Sequence, residues 1–406
     1  MNGRVAVLGG GFQGCCIALE LASHGVDVLL VDENEDLLTR TAVANEGKVH
    51  LGYMYAADPT LATARTMMRG ALAFAPFLRR HLGEAATLDT SAPAVYVVHR
   101  DSQHDVDEVA AYLEQVHREV QGAGAPEGSY FHQDLRAPMR RWSDGELASS
   151  FDPELVSAAF TSPEVAIDPS AVARLLRDRI AEEPRIEVLT GHHVDRARRG
   201  ERGGFVVGGT DWSASVHQVV NALWAGRISF DRRLEVRPDR VWLHRLKYGV
   251  SLPWPEGLSR PPSATVISGP FGEVVSYPDS TTYLTWYPTC VRGYSDAETP
   301  PPAWGTPPGP AEHAEIVSGT VAGLAGLVPA LRGLTSEHLQ HATVKGGVIV
   351  AWGETDIDDP GSELHERFRI GVRTEDGHHS VDPGKLTMAP WFAMQCADRV
   401  ASTVAA

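Results

Sequence analysis

The sequence predicts an α/β fold in which a nucleotide-binding parallel sheet is assembled from separated segments of the chain, with a β-rich (α+β) domain inserted between them. Three observations carry this prediction. First, "RVAVLGGG", "FQGCCIALELASHG" and "VDVLLVDE" read as strand, helix and strand, with Gly25 closing the helix. Second, the rhythm stops after Asp32, because "NEDLLTRTAVANEGKVHLGYMYAADPT" is polar and has no amphipathic period. Third, similar signals return late: an Asp168-capped helix begins at Pro169, followed by "RIEVLTG", the hairpin-like "GGFVVGGTDWSASVHQ" and the strand "VVNALWAGR".

Between these signals a helix is expected from Pro59 to about His81, then a strand at "AVYVVHR" and a helix over about 104–121. The second insertion holds "LHRLKYGVSL", "ATVISGP", "EVVSYP" and "TYLTWYPT", all short alternating strands. "TPPPAWGTPPGP" (299–310) reads as a surface loop. A helix over 311–331, the strand "GGVIVAWG" and "GHHSVDPGKLTMAPWFAMQCADRVAS", whose second half is helical, complete the chain. The expected boundaries are 1–80, 150–228 and 335–406 for the nucleotide-binding domain, and 81–149 and 229–334 for the substrate-binding domain. No tandem repeat of fixed period is visible.

The first turn has the spacing of a Rossmann-like dinucleotide site. Gly9 allows the tight turn, Gly11 lets the backbone approach a pyrophosphate, and Gly14 permits close packing of helix on strand. Asp32, eighteen residues after Gly14, is placed to accept hydrogen bonds from the adenosine ribose. Cys15 and Cys16 stand in the same turn. Adjacent cysteines can bond only through a strained ring, and the helix N-terminus is where the pyrophosphate belongs, so both read as small packing residues.

The chain has 406 residues, 43% of them hydrophobic, enough for one large core or two domains. Its formal net charge of -16, from 36 basic and 52 acidic residues, opposes binding to nucleic acid or to an anionic membrane. No apolar run approaches the roughly 18 residues that span a bilayer, so no integral membrane contact is expected and a cytoplasmic protein is inferred. The four cysteines (Cys15, Cys16, Cys290, Cys396) show no metal spacing, and the pair His378–His379 has no third ligand at recognisable distance, so no metal site is expected. Only four basic residues are lysines (Lys48, Lys247, Lys345, Lys385), which fits a GC-rich genome and is compatible with specialised metabolism.

A nucleotide-binding domain built from both ends of the chain and interrupted twice resembles the FAD-dependent D-amino-acid oxidase superfamily. The resemblance spans nearly the whole chain: its first 30 residues are similar to that superfamily's FAD-binding start, and "VVNALWAGR", with Asn221, to its second nucleotide-contacting strand. "ANEGKVHLGYMY" is similar to the flavin-contacting segment of the L-2-hydroxyglutarate dehydrogenase branch, which places Asn45, Gly47, His50, Gly52 and Tyr55 on its pattern. "GKLTMAP" is similar to the C-terminal turn of the flavin-linked glycerol-3-phosphate dehydrogenases. Asp32 stands where glutamate is usual, and Cys396 lies too far into the last helix to match the covalent flavin cysteine of the sarcosine oxidases. The resemblance implies noncovalent FAD and oxidation of a C–H bond next to nitrogen or oxygen in a small polar substrate. Electrons then pass to dioxygen or another acceptor, since there is one dinucleotide fingerprint.

Reduced flavin carries negative charge near N1, which calls for a cation or a helix dipole. "DPGKLTMAP" offers both: Gly384 for a tight turn, Lys385 as a point charge, and the amides of Leu386 and Thr387 opening a helix. A solvated lysine on a capped surface helix is the competing reading. Lys48 and His50 are two apart in an extended segment and share a side, where His50 is placed to take a substrate proton or else to be a hydrogen-bonded structural histidine. In "TYLTWYPTC", alternation puts Tyr283, Thr285 and Tyr287 on one face; Tyr287 either positions a substrate carboxylate or packs the sheet. Arg245, Lys247 and Arg367 are candidates for holding an anionic group on the substrate, against the alternative of solvated surface charge. Amine and alcohol oxidation both remain open, as does non-redox use of FAD, and the residues leave the oligomeric state unspecified.

Overall fold

The computed structural model describes residues 3–83 and 88–404, with Thr403 and Val404 as backbone only. Residues 84–87, 1–2 and 405–406, at the edges of the expected domains, lie outside the described residues. A six-stranded sheet runs in the order Gly371–Glu375, His378–Asp382, Gln218–Asn221, Val5–Leu8, Val28–Val31, Ile186–Leu189. All neighbours are parallel except the outer pair Gly371–Glu375 and His378–Asp382. Strands from the start, middle and end of the chain therefore lie side by side, as the late return of strand signals predicts.

The first helix, Phe12–Ser23, is apolar nearly all round, and every residue from Phe12 to Ala22 is buried. A helix of that composition needs cover on all sides. The sheet covers one side, and the last helix, Ala389–Val404, with Ala62–Leu82 beyond it, covers another. Gln13 joins the two ends of the chain directly, its Nε2 donating to the Ala389 carbonyl at 3.0 Å.

The second sheet has nine strands, ordered Val291–Ser295, Trp242–Pro253, Thr281–Trp286, Gly272–Ser276, Ala264–Ile267, Val95–His99, Val156–Thr161, Arg140–Arg141, with Thr343–Trp352 paired along Trp242–Pro253. This moves the expected domain boundaries. Val156–Thr161 and Thr343–Trp352 were expected in the nucleotide-binding domain, but their ladder partners are Val95–His99 and Trp242–Pro253. Apolar pattern identifies a strand and leaves its partner to tertiary context. A small third sheet (Arg196–Arg199, Phe205–Gly208, Ser213–Val216) contains the expected hairpin plus "RARR", which has no apolar alternation to announce it.

Two further expectations are corrected. The strand "TYLTWYPT" ends at Trp286, and Tyr287–Cys290 is a helical turn. Pro288 explains this, since it has no N–H to give a ladder. Tyr287 therefore does not share a strand face with Tyr283. Likewise "VVNALWAGR" leaves the sheet after Asn221 and becomes a helix at Arg227–Arg233. His379, from the histidine pair, is hydrogen-bonded to Thr374 Oγ1 (2.9 Å) and Gln218 Oε1 (2.7 Å), and burial pushes its pKa down to about 4. Among the described residues no helix is long and apolar enough to cross a membrane.

Cys15 and Cys16 are fully buried, burial pushes both thiols upward, and Cys15 Sγ donates to the Gly10 carbonyl at 3.3 Å. Neither is a ready nucleophile. The double replacement Cys15→Ala/Cys16→Ala is expected to keep turnover within a few-fold of the parent while costing about 1–3 kcal/mol of stability from lost packing. Thermal melts and steady-state rates check this; loss of turnover in a folded, FAD-loaded variant would restore a redox role.

Candidate active site

The glycine turn divides its work by geometry. Gly9 has φ +101°, and a Cβ there would lie 2.5 Å from the Ala222 carbonyl. At Gly14 a Cβ would come within 1.8 Å of the Gly9 carbonyl, so helix and strand touch backbone to backbone. A Cβ on Gly11 would meet nothing within 4 Å. That open space belongs to a cleft that Gly11 lines. Asp32 braces the turn: its Oδ2 accepts from Gly10 N (2.6 Å) and its Oδ1 from the Asn34 backbone N–H (2.8 Å) and side-chain amide (2.7 Å). Gln13 lines the cleft with a buried Oε1 that has no hydrogen-bond partner.

From Gly11 the cleft extends to a group of cations on separate elements: Arg245 and Lys247 from the long strand Trp242–Pro253, Arg367 from the loop before Gly371–Glu375, and Lys385 from the turn at Gly384. Arg245 and Lys247 are two residues apart on a strand and so share a face. Gly384 has φ +58°, a conformation favouring glycine, which turns the chain so that Lys385 and Leu386 line the cleft. Arg245 pairs with Asp356, Lys385 Nζ is 3.7 Å from Glu46 Oε1, and Lys247 Nζ sits 4.4 Å from the centre of the Tyr287 ring.

These neighbours move each other's protons. Burial pushes the Glu46 carboxyl up, yet Lys385, the neighbouring His50 and Lys247 hold it well below the usual carboxylate range. Burial likewise opposes ionisation of Tyr287, but Lys247, Arg245 and Lys385 outweigh it, so the phenol lies below its ordinary value. Burial lowers the Lys385 ammonium, with Arg367 and Lys247 adding to this against Glu46. Arg367 is lowered by burial and by Arg245, against Tyr55 and Tyr287. The site is rich in positive charge and short of negative partners.

Lys48 and His50 converge on a buried acidic group that the sequence did not announce. Glu164 is fully buried; its Oε1 lies 3.0 Å from His50 Nδ1 and accepts from the Tyr96 hydroxyl, and its Oε2 accepts from Leu51 N at 2.7 Å. Lys48 lines the cleft, bonds the Thr265 hydroxyl and lies 3.4 Å from Glu273. His50 is only 1% exposed and lies behind the cleft wall, with Nε2 3.5 Å from Glu46 Oε1. Glu46 lines the cleft and His50 does not.

Other expected cofactor residues fall into two groups. Asn45 lines the cleft and shapes it, accepting from Gly47 N (2.8 Å) and donating to the Thr41 (2.9 Å) and Ala42 (3.1 Å) carbonyls. Gly47, Thr387 and Asn221 do not line it. A Cβ on Gly47 would lie 1.9 Å from the Ile167 carbonyl. Thr387 Oγ1 accepts from His50 N (2.9 Å) and donates to the Lys48 carbonyl (3.2 Å), clamping the two segments together. Asn221 is fully buried: its amide donates to the Arg227 carbonyl (2.9 Å) and Asp231 Oδ1 (2.6 Å), and its Oδ1 accepts from Leu223 N (3.2 Å). Glu46, Asp356 and Glu164 were missed. Glu46 lies inside the quoted "ANEGKVH", whereas nothing local marks the other two.

The sequence matches the family described as FAD dependent oxidoreductase (DAO) over residues 4–338, and the chain belongs to that family. It is an FAD-dependent oxidoreductase. No curated protein matches the sequence. Solved structures of similar fold include glycine oxidase from Geobacillus kaustophilus (15% identity, 98% of this chain and 95% of that one, TM-score 0.69) and iminodiacetate oxidase from Chelativorans sp. (16%, 99% and 95%, 0.67). L-alpha-glycerophosphate oxidase from Mycoplasma pneumoniae, solved with FAD bound, is also similar (17%, 98% and 94%, 0.64).

FAD fits the residues present. The open side of Gly11 admits a pyrophosphate, the unpartnered Gln13 Oε1 offers an acceptor, and the cations at the far end suit a group that gains negative charge. Gly11→Val is expected to fold but to lose FAD, because the side chain fills the open space; Gly14→Ala is expected to destabilise the fold itself, by about 1–3 kcal/mol or more from overpacking. Flavin absorbance and melting temperature separate the two, and full FAD occupancy in Gly11→Val would contradict this placement.

Proposed function

We propose that the cleft oxidises a small anionic substrate at a C–H bond next to nitrogen or oxygen. The carrying observation is that Arg245, Lys247, Arg367 and Lys385 converge on one cleft whose other end opens at the dinucleotide turn. Bound FAD supplies the two-electron acceptor, which is reoxidised by dioxygen or another acceptor. Arg245 and Arg367 present guanidinium forks that suit a carboxylate or phosphate. The three solved structures of similar fold are named for glycine, iminodiacetate and glycerophosphate, each of which carries a carboxylate or phosphate group at neutral pH. Those names span amines and an alcohol, and the cleft suits either.

Removing hydride from such a carbon also requires a proton to leave the adjacent hydroxyl or ammonium. Tyr287 Oη is the group in the cleft best suited to take it, because the three cations favour its phenolate. His50 is set one layer back, where it and Glu164 hold Glu46 and the 48–51 segment in place. A lid or water path is not needed for this assignment.

Anaerobic mixing of the holoenzyme with amino acids, hydroxy acids and their carboxamides tests the class. At least one carboxylate compound is expected to bleach the flavin, and its carboxamide to do so about 10–100-fold less efficiently, the worth of a hydrogen bond to a charged group. Preference for the amides contradicts the reading, and turnover without bleaching favours non-redox use of FAD. With the best substrate, kcat/KM is expected to rise with pH through a pKa below 10, as the phenol of Tyr287 loses its proton. Tyr287→Phe should flatten that limb; a limb unchanged in the variant would move the proton acceptor elsewhere.

A further inference from the structure

A second cleft shares no lining residue with the first. It lies between the helix Arg227–Arg233, the segment 237–240 and the strands Gly371–Glu375 and His378–Asp382. Five arginines line it: Arg227, Arg237, Arg240, Arg369 and Arg373. In a chain of net charge -16 this is a concentration of positive charge that needs a reason.

The arginines form a floor and a rim. Arg227 and Arg240 make the floor, stacked over Trp352 with guanidinium carbons 5.4 and 4.4 Å from the ring centre. Arg237, Arg369 and Arg373 are exposed at the rim. Among the described residues Arg237 and Arg369 form no ion pair, while Arg373 pairs with Glu375.

The carboxylates in the cleft do not satisfy the floor. Asp231 accepts from the Asn221 amide and the Ser380 hydroxyl, and Asp382 accepts from Trp352 Nε1 and Gly384 N. Arg227 is 7% exposed, with Nη1 3.8 Å from Asp231 and Nη2 3.5 Å from Asp382. Its Nη2 has no hydrogen bond, and neither does the buried Nε of Arg240. Arg240's own carboxylate, Asp239, is 3.8 Å away. Burial and the neighbouring Arg369 lower the Arg240 pKa, a sign of cations crowded without enough negative charge. Buried guanidinium N–H groups left without acceptors are costly, and an oxyanion would supply them.

We propose that this second cleft binds a small oxyanion, carried by a phosphorylated or multiply carboxylated metabolite, between the buried Arg227 and Arg240 and the rim arginines. The site is separate from the oxidation cleft. It adjoins it through one short link: Asp382, in its wall, accepts from the backbone of Gly384, next to Lys385.

The test is calorimetric titration of the FAD-saturated enzyme with inorganic pyrophosphate and, separately, with citrate, at low and high ionic strength. FAD saturation keeps the cofactor's own phosphate site occupied. Saturable binding of at least one probe is expected, weakening as salt rises. The double variant Arg237→Gln/Arg369→Gln, which leaves the buried pair intact, should weaken it about ten-fold or more, and Lys247→Met in the other cleft should leave it unchanged. Pyrophosphate alone binding points to a phosphorylated ligand, and citrate alone to a carboxylated one. No saturable heat with either probe, equal affinity in the double variant, or loss of binding in Lys247→Met would each overturn the proposal.

Discussion

Putting Lys48, Arg245, Lys247, Arg367 and Lys385 into one protein cleft carries a desolvation cost that the structure must offset, and most of the cleft is arranged around that requirement. Arg245 is met by Asp356, and Lys385 by Glu46, which Lys247 also holds ionised. Buried charge is stable only when paired and hydrogen-bonded. The protein's own carboxylates fall short of the cations here. In the proposed reaction an anionic group on the substrate would supply the missing negative charge beforehand, and the reduced cofactor afterwards.

That arrangement depends on bringing distant parts of the chain together. The contact of Gly14 with the Gly9 carbonyl fixes the first helix on the central strand, and Gln13 then ties this helix to the start of the last one. Lys385 stands four residues before Ala389, so one hydrogen bond relates the pyrophosphate end of the cleft to its cationic end. Thr387 adds a clamp to the 48–50 segment, and Glu164 anchors that segment from behind.

The sequence revealed those features that depend on local order. Glycine spacing, strand–helix alternation and the Gly384–Lys385 turn are short-range patterns, and they identified the nucleotide domain and one end of the cleft. Arg245, Lys247, Arg367 and Tyr287 were marked by residue type, and the structure brings all four to the same cleft. What remained hidden depends on contacts across the fold. Glu164 is one carboxylate in "SPEVAI" until the sheet buries it beside His50, and His50 itself reads as facing the flavin until Glu46 is seen in front of it. Val156–Thr161 was not marked as a strand at all, and Thr343–Trp352 was legible as a strand through "GGVIVAWG" but not as a member of the substrate sheet, because pairing is decided by partners far away in sequence.

The central claim is that the cleft's cations serve the negative charge created by reduction, and the two-electron potential of the bound FAD reads this directly. Replacing Lys385 with methionine keeps most of the side-chain stem and removes the charge. A dye-equilibrated reductive titration of parent and variant should show the potential falling, by about 30 mV for each roughly 1.4 kcal/mol of stabilisation lost. Sulfite, which also places negative charge on the ring system, should bind the variant more weakly. An unchanged potential together with unchanged sulfite affinity would contradict the account, and would make Lys385 no more than the partner of Glu46.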